Sequence, residues 1–243
     1  MATVRSALDG LRARTHGRLL APDHPAYEAS RRTFNAMTGG RPLAILQPED
    51  TADIVAAVRW AEDADVGIGV RGGGHSVAGH SAPDGALLID LSNWRGAEVD
   101  PAGRTATALA GSRLMDLDAA TAAYRLAAPS GTFVDTGITG LTLGGGISFI
   151  VASEGFACDS LIGAQLVTAG GAVVEVDEER EPDLMWALRG GGGNFGIATR
   201  LRYRLTDVSQ IAGGRLDFRG DGIRRVLERV IALEQEAPDS LVT

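Results

Sequence analysis

Cysteine occurs once in the 243 residues, at Cys158, which excludes an internal disulfide. No stretch is long and apolar enough to span a membrane. The opening Met1-Ala2-Thr3-Val4-Arg5 has no apolar run behind it, so no secretory signal is expected and a cytoplasmic protein is the default. Aromatic residues make up only 5%, too few for a platform that stacks single-stranded bases. A net charge of −8 argues against a nucleic-acid or anionic membrane partner. The four histidines, His16, His24, His75 and His80, lack zinc-ligand spacing, so no metal site is expected.

Glycine is abundant instead. Its 33 copies gather in three unequal clusters, near 72, 144 and 190, with no fixed-period repeat. Ordinary periodic segments separate the clusters, which suggests several loops converging on one extended ligand. The first cluster is Arg71-Gly72-Gly73-Gly74-His75-Ser76-Val77-Ala78-Gly79, fed by a short buried strand over 66–70. Glycines there let the backbone approach a ligand, and exposed N–H groups in succession form an anion site. Two readings stand side by side. Either the glycines make a tight turn and His75 is a hydrogen-bonded surface residue, or the loop cradles a pyrophosphate and His75 bonds the cofactor. The uncharged imidazole is a nucleophile at neutral pH.

The remaining pattern predicts elements. Residues 1–40, arginine-rich and of weak periodicity, read as a solvated leader packing loosely on the domain, with a short helix around Leu8 and Leu11 as the other reading. Leu43 to Leu46 is a strand, and the capping groups Glu49-Asp50-Thr51 open a helix over about 51–64. Ala86 to Leu91 is a strand, and Arg104 to Leu109 is a strand of a hairpin. Ser112 is placed to cap a helix over 112–124, with Leu114, Leu117 and Tyr124 on one face. Ala164 to Val176 is a hairpin, and Pro182 starts a helix in which Leu184, Met185, Trp186 and Leu188 face a core. A strand at Gly214 to Phe218 and an amphipathic helix over 222–236 follow, and Leu241-Val242-Thr243 begins another strand. No helix starts directly at Gly74, so a Rossmann nicotinamide site is the wrong context.

The second cluster runs Ser130-Gly131-Thr132-Phe133-Val134-Asp135-Thr136-Gly137-Ile138-Thr139-Gly140-Leu141-Thr142-Leu143-Gly144-Gly145-Gly146. It is either a glycine-rich turn or the lining of a flat heterocycle. The third runs from Trp186-Ala187-Leu188-Arg189 through Gly190-Gly191-Gly192-Gly193-Asn194-Phe195-Gly196 to Ile197-Ala198-Thr199.

Together and in this order, over roughly 40–208, the three motifs resemble the covalent flavin oxidases. These form the vanillyl-alcohol oxidase and p-cresol methylhydroxylase superfamily, and the likeness is to the berberine-bridge-enzyme-like branch. The resemblance implies an α+β fold: a two-subdomain FAD-binding domain of the p-cresol methylhydroxylase type over 38–208, after a leader at 1–37. An incomplete start of an α+β substrate domain would follow at 209–243, making the chain truncated. It implies FAD joined through its 8α-methyl to His75. Cofactor contacts would come from Arg71, Gly72, Gly73, Gly74, Ser76, Gly79, Thr136, Gly137, Gly140 and Ile197. Some family members add a second, cysteinyl link. The matching position here holds Phe133 and Cys158 lies outside the pattern, so one covalent link is implied. Ser148, Ser153-Glu154 and Ser160 depart from usual family residues around the ring. The implied activity is oxidation of a small alcohol, sugar or amine by hydride transfer to flavin N5, with reoxidation by O2. A non-catalytic FAD-binding remnant is the alternative. No catalytic base is nominated, since Tyr124 and Tyr203 read as packing residues and His80 as a loop residue. Substrate identity and oligomeric state stay open.

Overall fold

The computed structural model describes residues 8–208, 210–238 and 241. Two sheets carry the fold. The first has strand order β1-β2-β4-β3, with β1 Arg18–Leu20, β2 Ala44–Gln47, β3 Ile68–Arg71 and β4 Leu87–Asp90. β4 runs parallel to both β2 and β3, whereas β1 is antiparallel to β2. A central parallel strand is covered on both faces, and all four β4 residues are buried. The second sheet is antiparallel throughout, ordered β5-β6-β9-β7-β8. Its strands are β5 Ala97–Asp100, β6 Thr105–Leu109, β7 Leu161–Val167, β8 Val173–Val176 and β9 Ile197–Arg204. β9 shows the alternation of a half-buried strand: Leu201 and Tyr203 are buried while Arg200, Arg202 and Arg204 face out.

Helix α3, Thr51–Asp63, connects β2 to β3 and buries Ile54, Ala57, Val58, Trp60 and Ala61 against the first sheet. Asp50 caps it by accepting a bond from the Asp53 amide. Val167 and Ile197 of the second sheet join this same core, so the two sheets share a hydrophobic seam. Under the second sheet lie α4, Leu114–Ala122, and α7, Pro182–Leu188, through Leu114, Leu117, Met185 and Leu188.

Several expectations are corrected. The leader does not pack loosely. Residues 8–12 form α1, Leu11 and Leu20 are fully buried, and β1 extends the first sheet. Helix α2, Tyr27–Ser30, buries Tyr27, whose hydroxyl donates to the Pro42 carbonyl. The buried carboxylate of Asp53 fastens the segment by accepting from the His16, Gly17 and Glu49 amides at 2.7, 2.8 and 2.8 Å. This anchor lies 36 residues away, so local periodicity cannot show it. Ser112 does not cap α4. Its hydroxyl bonds Gly96 in the neighbouring loop, and Asp116 accepts from the Arg113 amide instead. Tyr124 and Trp186 are exposed rather than in the core. Residues 214–218 form no strand. Helix α8, Ile223–Glu236, is present, but all its apolar residues are exposed or only partly covered. Leu241 lies outside any strand, and Val242 and Thr243 are outside the described residues.

Candidate cofactor cleft

At the end of β3 the chain turns through Gly72, Gly73 and Gly74, the last at φ +74°. That left-handed angle strains any side-chain-bearing residue. The second cluster folds as a tight turn into α5, Ile138–Leu143. It is fastened to the start of α4 by Leu114 N–H to Thr136 O and Met115 N–H to Val134 O, both 3.0 Å. Thr139 Oγ1 adds a bond to the Ala110 carbonyl at 2.8 Å. Gly73 and Gly137 then meet backbone against backbone. A Cβ on either would collide with the main chain of the other, which requires glycine at both. The third cluster joins through Gly192 N–H to Leu143 O at 2.8 Å.

The three clusters thus border one cleft of about 1060 Å³. Its lining takes in Gly72, Gly73, Gly74, His75, Ser76, Thr136, Gly137 and Gly140, together with Gly144, Gly145, Gly146, Gly193 and Asn194. Ile68, Gly69, Val70, His80, Ser81, Pro83, Leu141, Ile147 and Phe156 complete it. His80, expected to be a plain loop residue, therefore borders the cleft. The ionisable side chains among these lining residues are two imidazoles, and a carboxylate beside them, Asp135 next to His75, stands just outside the lining. A Cβ built on Gly140 or Gly145 would meet open space, so a flat ring system can approach the main chain there.

His75 sits at the wall with its side chain 21% exposed. Its ring stacks on Phe34 at a centroid distance of 4.4 Å and an angle of 17°. Phe34 is tied to the loop by its amide, which donates to the Gly74 carbonyl at 3.1 Å. His75 Nε2 lies 3.8 Å from Oδ2 of Asp135. Neither neighbour stands out in the sequence: Phe34 belongs to the leader, and Asp135 is one polar residue in a loop of many.

Three of the residues expected to contact the cofactor are not among those lining the cleft. The Arg71 side chain is buried in a bidentate pair with Asp90, at 2.9 Å from Nε to Oδ1 and 2.5 Å from Nη2 to Oδ2. Its Nη1 donates to the Arg32 carbonyl. The guanidinium locks β3 to β4 and does not line the cleft. Burial pushes the Asp90 carboxyl up, but the Arg71 bonds and charge outweigh it and hold the group below the usual carboxylate range. Gly79, at φ +84°, packs beside Thr38 and is not among the lining residues. Ile197 is 7% exposed and belongs to the core at the seam between the sheets.

Phe133 is 72% exposed, while Cys158 is buried behind the cleft wall, its amide donating to the Gly145 carbonyl at 2.9 Å, and is not itself a lining residue. Burial pushes the Cys158 thiol up, which favours its protonated form. The departures Ser148 and Ser160 satisfy their hydroxyls locally, on the Ile150 amide and the Ala157 carbonyl. Tyr203 is enclosed with its hydroxyl 2.9 Å from Thr142 Oγ1, and burial pushes its phenol up. Among the described residues no group of three or more His, Cys, Asp or Glu side chains is placed to hold a metal ion. No described helix is long and apolar enough to cross a membrane.

Comparison with known proteins agrees with this geometry. Residues 42–177 match the family described as an FAD binding domain. The (R)-6-hydroxynicotine oxidase of Paenarthrobacter nicotinovorans is 34% identical over 192 residues, which is 79% of this chain and 42% of that protein. The solved Physcomitrella patens BBE-like 1 superposes with a TM-score of 0.79 at 33% identity, covering 85% of this chain and 45% of that one. The glucooligosaccharide oxidase of Acremonium strictum, described with 6-S-cysteinyl, 8α-N1-histidyl FAD, has a TM-score of 0.78 at 34% identity, covering 83% of this chain and 43% of that one. The chain thus spans less than half the length of these relatives. It belongs to the FAD-binding domain family of the vanillyl-alcohol oxidase and p-cresol methylhydroxylase type, and the relatives it resembles are named as berberine-bridge-enzyme-like proteins and FAD-linked oxidases.

Proposed function

We propose that the chain forms the FAD-binding part of an FAD-dependent oxidase, with the cofactor held through a single covalent bond to His75. The observation that carries this is the glycine-walled cleft with the stacked imidazole of His75 at its edge. The N–H groups of 72–74 would receive the pyrophosphate, and Thr136, Gly137 and Gly140 would line the ring. His75 would break its own N–H bond and form one N–C bond to the 8α-carbon, which loses one hydrogen. Two protons and two electrons leave overall, and dioxygen takes them up as hydrogen peroxide. Phe133, standing where a cysteine would make a second link, supports one link only. When bound, FAD supplies the hydride acceptor at N5 and passes the electrons to dioxygen. The substrate class is a small alcohol, sugar or amine. Support comes from the relatives, one named for a hydroxynicotine and one for a glucooligosaccharide.

The test is to express the 243-residue chain, precipitate it with acid, and look for flavin fluorescence in the denatured band beside a His75→Ala control. Fluorescence in the parent and none in the control is the expected result. A folded yellow protein that gives a colourless pellet would show that the FAD is not covalent.

A further inference from the structure

The environment of His75 contains a group that the cofactor reading does not use. Asp135 places Oδ2 3.8 Å from Nε2, and its side chain is half exposed, free to close the gap by a small rotation. The ring cannot turn away easily. Phe34 stacks on its face, and Phe34 is itself bonded to Gly74 next to His75. Nor can the Asp135 backbone drift. Val134 and Thr136 on either side accept the Met115 and Leu114 amides at the start of α4. A carboxylate held beside one imidazole nitrogen keeps the proton on that nitrogen and leaves a lone pair on the other. A neutral imidazole otherwise divides its proton between two tautomers, and only one of them presents a given nitrogen as nucleophile.

We propose that Asp135 is the positioning residue for His75: it holds the proton on Nε2 and so frees Nδ1, the ring position through which the Acremonium strictum relative is described as histidyl-linked, to bond the flavin. This rests on the covalent-link reading above. As the N–C bond forms at Nδ1, the Nε2 proton leaves to Asp135 and then to water, through the half-exposed carboxylate. The electrons follow the path to dioxygen already described.

The experiment compares the full chain with Asp135→Ala and Asp135→Asn. FAD is added to apo-protein, total bound flavin is read by absorbance, and linked flavin is read in denaturing gels over time. Histidine labelled with 15N, assigned through His75→Ala, reports the His75 tautomer in the apo-proteins. We expect Asp135→Ala to bind FAD but link it more slowly on the order of ten-fold, the scale seen when a partner orienting a functional imidazole is removed. Its His75 should lose the Nε2–H preference. Asp135→Asn keeps an acceptor oxygen and should retain the tautomer, with an intermediate rate. It also decides the matter if the alanine variant fails to fold. Linkage at the parental rate in both variants, with an unchanged tautomer, overturns the proposal. A parent that binds FAD without ever linking it sinks the covalent reading alone. The tautomer then still judges Asp135: a shift in the alanine variant supports it, and no shift overturns it.

Discussion

Gly73 and Gly137 show how much a missing side chain can decide. Each leaves room for the other's main chain, so the first two clusters touch without an intervening atom. Gly137→Ala forces them apart. The expected cost is about 1–3 kcal/mol of unfolding free energy, the usual range for overpacking, with FAD retention lost as well. Urea denaturation and bound-flavin absorbance check both outcomes. Arg71 and Asp90, 6% and 1% exposed, form a pair whose partners cannot be removed singly without leaving a buried charge. Asp90→Ala should therefore cost about 3–5 kcal/mol. The pair also sets an acid limit. The folded Asp90 carboxyl is held below its unfolded value of about 3.9. Its contribution is thus complete above that pH and is lost as the pH falls toward the folded value. Urea midpoints between pH 7 and pH 2 should fall less steeply in Asp90→Asn than in the parent.

Among elements, α1 and α8 make opposite cases. The sequence marks α8 as clearly amphipathic and α1 only as a short helix of weak periodicity, yet Leu11 of α1 is fully buried and Leu227 of α8 is 54% exposed. Leu11→Ala should cost about 2–5 kcal/mol through the cavity it leaves. Leu227→Glu should change the stability of this chain by no more than about 0.5 kcal/mol. Equal losses in urea melts would refute the contrast. The strands β2, β4 and β6, the hairpin β7–β8 and helix α3 were all legible from period and turn signals. The errors fell where a distant partner overrides the local pattern. Ser112 bonds Gly96 rather than its own helix, and Trp186 is left 79% exposed.

For the whole molecule, the cleft borders loops from both sheets, since Gly72 to Ser76 follow β3 and Gly193 and Asn194 precede β9. A dinucleotide lying there contacts both halves, and binding to the folded state alone stabilises it by mass action. In His75→Ala, where FAD exchanges freely, FAD at about 100 times its Kd should add about 2.7 kcal/mol. Thermal melts with and without FAD read this as a rise of one cooperative transition. Two separate transitions, only one of them sensitive to FAD, would show that the ligand engages one half alone.

The sequence by itself determined the glycine clusters, their order, the histidine that follows the first of them and the period of most elements. Those features lie within a few residues of one another, where backbone freedom and side-chain alternation act directly. Only the tertiary structure decided that the Arg71 side chain is tied into a strand pair with Asp90, that the leader is core, and that Phe34 and Asp135 flank His75. Each of these depends on contacts between residues far apart in the chain: Arg71 is 19 residues from Asp90 and His16 is 37 from Asp53. Such contacts come from packing two sheets on a shared seam, and no local signal in an arginine, a phenylalanine or an aspartate records them.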